Sequence, residues 1–258
     1  MEARVTRISI APIKGLGLRH PESVELGPRG VAEDRRLHLI DEAGRLVNGK
    51  KSLALMRVSP TLDLAANTLV LRFPEGHEVA GELATGERVT TSFYGRPVHG
   101  GIVTGPWAQA LSDWAGIEMR LVLPDELGAA IDRGAGNSAS IISEASIDDI
   151  ARAGGADSLD GRRFRMTFEL SGMEPYEEEG WIGRDVRIGD AVVRPKGNLG
   201  RCVVTTRDPD TTERDFDTLG VLASHRGDVE TTEPLPLGVA GKVVTPGTVR
   251  VGDLVTLI

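Results

Sequence analysis

The chain has 258 residues, enough to bury a full core as one large domain or as two closely packed halves without disulfide or metal staples. Thirty Lys and Arg stand against 38 Asp and Glu, a net charge of −8, which leaves no global positive field for nucleic acid or an anionic membrane. A single cysteine excludes an internal disulfide and any Cys-rich zinc or iron–sulfur site, and it suits a reducing, cytoplasmic setting.

Glycine is abundant (32 residues), aromatics make up only 4%, and Pro or Gly recurs between short runs of Val, Ile, Leu and Thr, so the chain reads as mainly β, in an α+β arrangement. The opening "MEARVTRISIAPIKG" has no apolar h-region, and no run of about 18 apolar residues occurs, so neither a signal peptide nor a membrane span is expected. "RVTRISIAP" reads as a strand, "SVELGPRG" as a strand ending in a turn, and "RRLHLIDEAGRLV" as a hairpin with "DEAG" at its tip. A β-rich first half over residues 1–90 and a second domain over 91–258 are expected, with the segments 74–88 and 124–138 as loops. Trp107, Leu111 and Trp114 recur at helical spacing and Gly116 follows them, which predicts one helix. Ser143 as N-cap, Ile147 and Ile150 behind it, and Gly154-Gly155 as the stop predict a second. Beyond it, "RRFRMTFEL", "DVRIGDAVVRP", "RCVVTT" and "GTVRVGDLVTLI" all read as strands; "VRIGDAVVRP" and "VRVGDLVTLI" are similar enough to predict two hairpins of one barrel.

Common catalytic signatures are missing. There is no phosphate-binding P-loop, no strand-to-helix serine elbow, no metalloprotease His pair and no dinucleotide fingerprint, because "GGADSLDGRR" follows a helix rather than a strand. The five histidines (His20, His38, His77, His99, His225) show no metal-ligand spacing. The acidic run "EPYEEEGW" (174–181) reads as a solvated loop, since consecutive like charges repel. What remains is a set of cations at strand edges: Lys14 in "APIKG", Arg35 and Arg36 in "AEDRRLHL", Arg165 in "RRFRMTF" and Arg201 in "GRCVV". Singly each reads as a solvated residue; together they suit a dianionic, phosphorylated ligand. Cys202, between Arg201 and a β-branched run, reads from its own context either as a small buried side chain or as a reactive thiol.

Five segments in order resemble one family across nearly the whole length: "ISIAPIKGL", "VELGPRGVAEDRRLHLIDEAGRLV", "IISEASIDDI", "RRFRMTFELSGMEPYEEEGWIG" and "RCVVTTRDPDTTE", with "VRVGDLV" as a closing match. The chain resembles MOSC proteins (molybdenum cofactor sulfurase C-terminal domain) that carry an N-terminal MOSC β-barrel. The resemblance implies a MOSC-type β-barrel with a few helices packed against a β-barrel-like N-terminal half, and molybdopterin-bound molybdenum in a cleft between them. It makes Cys202 the metal ligand and catalytic residue; a soft thiolate suits a metal already held by dithiolene sulfurs. Arg201 beside it favours the thiolate. Lys14, Arg35 and Arg165 fall at positions that contact the pterin or its phosphate, and Arg201, Asn198, Ser138, Thr167 and Thr205 complete the implied cofactor-binding set. The chain departs from the family pattern in three places: Gly15 follows Lys14 where Ser is common, Met166-Thr167 replaces Pro-Asn, and "PKGNLGRC" lacks the usual proline and extra cysteine before the Arg-Cys pair.

The implied function is a molybdenum-dependent oxidoreductase that reduces N-hydroxylated or related N–O substrates. With no iron–sulfur cysteines and no flavin or nicotinamide fingerprint, its electrons come from separate flavin or iron–sulfur reductase partners. The alternatives are a sulfur carrier using a Cys202 persulfide, dependent on a desulfurase partner because no lysine has a pyridoxal-phosphate context, and a non-catalytic cofactor-binding protein.

Overall fold

The structure, a computed structural model, describes residues 2–132, 134–231 and 233–258. The chain forms two compact units. One comprises Met1–Ser9, His20–Val31 and Ala135–Ile258; the other comprises Ile10–Arg19 and Ala32–Gly134. Neither unit begins at residue 91, since that position falls inside β9 (Ala84–Phe93), a strand of the second unit.

The first unit opens with β1 (Arg4–Ile8), β2 (Ser23–Gly27) and β3 (Gly30–Val31). The second unit holds β4 (His38–Ile40), β5 (Leu46–Val47), β6 (Ser59–Asp63), β7 (Thr68–Arg72), β8 (Glu78–Glu82), β9 (Ala84–Phe93), β10 (Arg96–Thr104), α1 (Trp107–Ala115) and β11 (Arg120–Pro124). Its sheets run in the orders β5-β4-β11-β10-β9 and β6-β7-β8. Segment 74–88, expected as a loop, is therefore mostly strand: β8 pairs with β7, and β9 pairs with β10. The β4–β5 hairpin turns at the expected "DEAG". There Asp41 accepts the backbone N–H of Arg45 at 2.9 Å and the ammonium of Lys51 at 2.6 Å, which holds its carboxyl far below the usual carboxylate range. The spacing of α1 buries Trp107 and Leu111 against Leu69, Leu71 and Leu121, and Gly116 ends the helix in the left-handed region at φ 65°.

The first unit continues with β12 (Ala139–Ser143), α2 (Glu144–Ala153), β13 (Phe168–Ser171), β14 (Val186–Ile188), β15 (Ala191–Gly200), α3 (Thr218–His225), β16 (Pro236–Thr245), β17 (Gly247–Arg250) and β18 (Val255–Leu257). Seven strands form one sheet in the order β1-β13-β12-β16-β15-β14-β18. A bridge between Arg4 and Leu254, with Val5 N–H donating to the Asp253 carbonyl at 3.0 Å, nearly closes it into a barrel. Its strands are antiparallel except for β12 against β13. The expected hairpin over 186–195 forms as β14–β15, but its sequence twin over 249–258 does not: β17 pairs with β2, and β18 pairs with β14. β1 and the residue just before β2 take the turn between them instead, since Gly252 N–H donates to Val5 and Val251 N–H to Glu22. As predicted, Ser143 caps α2 by accepting the N–H of Ser146, and Ile147 and Ile150 pack with Phe164, Met166, Phe216 and Leu237.

Three other segments differ from the sequence expectation. "RCVVTT" is a 3₁₀ turn over Val203–Thr206 rather than a strand, and α3 follows it unannounced by periodicity. The acidic run 174–181 is only partly solvated. Glu178 is fully buried, accepting from Ser143 N–H at 3.2 Å and Ser146 Oγ at 2.9 Å, and Glu179 pairs with the buried Arg226 at 2.7 Å. Burial raises the Glu178 carboxyl above the ordinary range.

Glu169 on β13 is buried, 3.6 Å from Arg7, and burial, aided by the neighbouring carboxylates of Glu144, Asp160 and Asp148, pushes its carboxyl up to about 6 from the ordinary 4.5. The folded form thus keeps a proton that the unfolded chain releases, and ionising Glu169 costs the fold about 2 kcal/mol as pH rises through that window. Glu169→Gln removes the cost. Relative to wild type the variant gains about 2 kcal/mol between about pH 4 and about pH 8 in urea unfolding, and a constant difference across that range refutes the assignment. Thr212 lies in the left-handed region at φ 63°, where a β-branched residue is strained. Thr212→Gly relieves this at a smaller entropic cost, and an unfolding free energy raised by up to about 1 kcal/mol in urea titration is expected; an unchanged or lowered value argues that the turn carries no strain.

Candidate functional site

Cys202 sits where β15 ends and the 3₁₀ turn begins, in an extended conformation (φ −131°, ψ 173°) and partly exposed. Its carbonyl accepts two bonds from one residue, Thr205 N–H and Thr205 Oγ1, each at 2.9 Å. Before it, Gly200 leaves no room for a side chain, since a Cβ there would lie 2.8 Å from the Pro234 carbonyl. Arg201 N–H donates to Leu235 at 3.0 Å. The cysteine is thus held from the chain on both sides.

The Arg201 guanidinium turns into the protein. It donates to the Phe164 carbonyl at 3.1 Å, to Met166 Sδ at 3.1 Å and to the Leu237 carbonyl, and it lies 5.5 Å from the Phe164 ring centre. Burial lowers it to about 10, while the nearby charges of Cys202 and Glu178 act in the opposite direction. Met166, one of the departures from the family pattern, supplies one of its acceptors. Arg165 lies between the two residues that Arg201 grips and adopts the left-handed region at φ 55°, uncommon for a residue with a Cβ. Strain of this kind concentrates where a side chain must be aimed.

The softer candidates divide by what their polar atoms do. Thr167 is consumed by the fold: its N–H donates to Ser140 Oγ at 2.8 Å and its hydroxyl meets the same atom at 3.1 Å. Thr205 is committed to the Cys202 turn. Asn198 Nδ2, Ser138 Oγ and Arg201 Nε, by contrast, are buried with no partner in the protein. Each such orphan costs about 1–3 kcal/mol. The same unit holds two more, Arg207 Nε and Arg226 Nε, so place and not number singles out Asn198, on β15 just before Cys202, and Ser138, just before β12, as donors open to a polar group from outside the chain. Gly30 fits this picture: its φ of 95° and the 2.9 Å approach of Ser138 to its Cβ position exclude any other residue beside the Ser138 hydroxyl. The other two cations are in the second unit, each with an acid. Lys14 is buried, pairs with Asp132 and lies 5.9 Å from the Phe93 ring; Arg35, at φ 50°, pairs with Asp34, which also accepts Ala11 N–H at 2.7 Å.

Among the described residues no group of three or more His, Cys, Asp or Glu is placed to hold a metal ion. One thiol and several orphaned donors fit a metal that arrives with its own sulfur ligands on a polar organic carrier, and molybdenum on molybdopterin is such a group. The sequence reading passed over Arg163, Asp215 and Thr218, which build the turn after Cys202. A doubled arginine beside the singled-out Arg165 was the available signal for the first; nothing in spacing marks the other two.

No helix among the described residues is long and apolar enough to cross a membrane. The chain is 27% identical over 287 residues to mitochondrial amidoxime-reducing component 1 from Mus musculus, covering 98% of this chain and 82% of that protein. It is 25% identical over 262 residues to molybdenum cofactor sulfurase from Danio rerio, where it covers 86% of this chain but only 30% of the relative. Among solved structures, the YUAD protein from Bacillus subtilis aligns over 99% of this chain and 94% of its own, with 12% identity and a TM-score of 0.46. The MOSC N-terminal beta barrel domain model matches residues 2–113 and the MOSC domain model residues 129–256. Between them these models cover nearly the whole chain, which belongs to the MOSC family as an N-terminal MOSC β-barrel domain followed by a MOSC domain.

Proposed function

We propose that this protein binds molybdenum cofactor and works as an oxidoreductase on small N-hydroxylated or related N–O substrates, taking electrons from separate flavin or iron–sulfur reductase proteins. The observation that carries the reading is the coincidence of a lone, partly exposed cysteine on a rigid turn with unpartnered buried donors on neighbouring elements. The likeness to an amidoxime-reducing component over nearly the full chain supports the substrate class.

In this reading Cys202 Sγ is the protein's ligand to the metal. Asn198 Nδ2 and the Ser138 hydroxyl hold polar edges of the pterin, and burial of these donors makes each bond stronger than it is in water. Arg165 holds its phosphate. Arg201 does not reach outward; its guanidinium is spent on the Phe164 and Leu237 carbonyls and on Met166 Sδ. When bound, the cofactor supplies two-electron oxygen-atom chemistry. The chain's own residues bind and orient the group.

In protein purified from a host that makes molybdenum cofactor, elemental analysis is expected to give close to one molybdenum per chain, and Cys202→Ala is expected to lose most of it. No molybdenum in wild type, with cofactor supply proven, ends the metalloenzyme reading; a trappable persulfide on Cys202 then points to sulfur transfer, the activity named in a second relative. Asn198→Leu removes one orphaned donor while keeping side-chain size. It is expected to leave the fold as stable as wild type or more so, and to weaken cofactor retention about tenfold or more. Wild-type retention with lowered stability assigns Asn198 to the fold instead.

A further inference from the structure

We propose that the Arg163–Asp215 ion pair is the positioning device for Cys202, fixing the turn that aims the thiol without touching the thiol. This rests on the reading of Cys202 as the functional group. Arg163 is 3% exposed and forks onto both oxygens of Asp215, at 3.0 and 2.6 Å. The same guanidinium donates to the Thr205 carbonyl at 3.3 Å. Thr205 is the residue whose N–H and hydroxyl both hold the Cys202 carbonyl. A second donor, the buried Thr218 hydroxyl at the start of α3, reaches the Thr205 carbonyl at 2.7 Å. Asp215 closes the loop by donating its own N–H to Thr206 at 3.3 Å.

The other bonds of segment 203–215 are largely local, such as Asp208 N–H to Glu213, Thr212 N–H to Asp208 and the Asp210 and Thr211 N–H groups to the Asp208 carboxylate. Its only bridge to another strand-like residue among the described ones is Arg207 against Arg214, within the segment itself. The adjacent Arg162 ties down its far side, forking onto Asp210 at 2.9 and 2.6 Å. A buried arginine is an expensive way to gain stability, because desolvation offsets most of the attraction of the pair, and a well-packed apolar pair often serves equally well. What a bidentate fork provides is a fixed direction. Here that direction runs from Arg163 through Thr205 to the backbone of Cys202, so Arg163 and Asp215 are positioning residues.

Because the chain has one cysteine, every thiol label reports on position 202. The rate of alkylation by iodoacetamide is measured in the folded full chain at several urea concentrations below the unfolding transition, for wild type, Arg163→Met, Asp215→Asn, the double variant and Arg163→Lys. Both single variants are expected to react about tenfold faster or more, independently of urea, as local opening requires. The double variant is expected to match the singles, since they break one device. Arg163→Lys, which keeps the charge but loses the fork, is expected between wild type and Arg163→Met. Rates equal to wild type, or rates that climb with urea along the global unfolding curve, overturn the proposal. Should Arg163→Met fail to fold, Asp215→Asn decides it, since Asp215 is at the surface edge and its replacement keeps the shape. Molybdenum analysis of wild type stands apart from this result: unchanged labelling in a molybdenum-loaded protein removes the clamp alone, and altered labelling in a protein that takes up no molybdenum removes the cofactor reading alone.

Discussion

The Thr205 carbonyl is the point on which the candidate site hangs. It accepts from the guanidinium of Arg163 and the hydroxyl of Thr218, while the N–H and hydroxyl of the same residue hold the carbonyl of Cys202. Four hydrogen bonds through one threonine join α3, the 3₁₀ stretch before β13 and the end of β15 to a single cysteine. A thiol on an ordinary surface loop samples many directions; one on a turn held at both of its polar ends does not. The sheet serves this turn by supplying Gly200 and Arg201, whose backbone packs against Pro234 and Leu235.

Buried charge is concentrated in this unit. Arg163, Arg201, Arg226 and Glu178 all lose much of their hydration, and each is met differently: by a carboxylate fork, by carbonyls and a sulfur, by Glu179 and an aromatic face, and by serine donors. These arrangements are poor investments in stability alone. Their common property is direction, since hydrogen bonds to charged groups tolerate little bending. The orphaned atoms of Ser138 and Asn198 are the complement: polar groups already desolvated, with nothing inside the protein to answer them. A fold that satisfies Glu178 four-square and leaves Asn198 unsatisfied is shaped for a visitor at the second site.

Departures from the family pattern take on physical meaning in this setting. Met166 replaces a proline, and its sulfur becomes an acceptor for Arg201. Thr167 replaces an asparagine, and its hydroxyl is spent on Ser140 rather than left for a ligand. These two alter how the site is lined without disturbing the strands beneath, because both lie at the entry to β13 where the chain is leaving a 3₁₀ stretch.

Sequence alone determined the β-rich class, both helices with strong periodicity, the "DEAG" hairpin, the Gly-Asp hairpin at 186–195 and the family. These are local properties, written in spacing, caps and turn residues within a few positions of one another. It could not tell the β14–β15 hairpin from its twin at 249–258, because what separates them is the presence of β1 and β2 beside the second. It read "RCVVTT" as a strand from β-branched side chains; the tertiary bonds of Thr205 and Thr218 override that weak preference. It counted the acidic run as solvated, since burial of Glu178 depends on serines more than thirty residues away. Only the folded chain decides which charges are paired, which donors are left open and which arginine reaches the cysteine, because those are contacts between residues that the sequence keeps far apart.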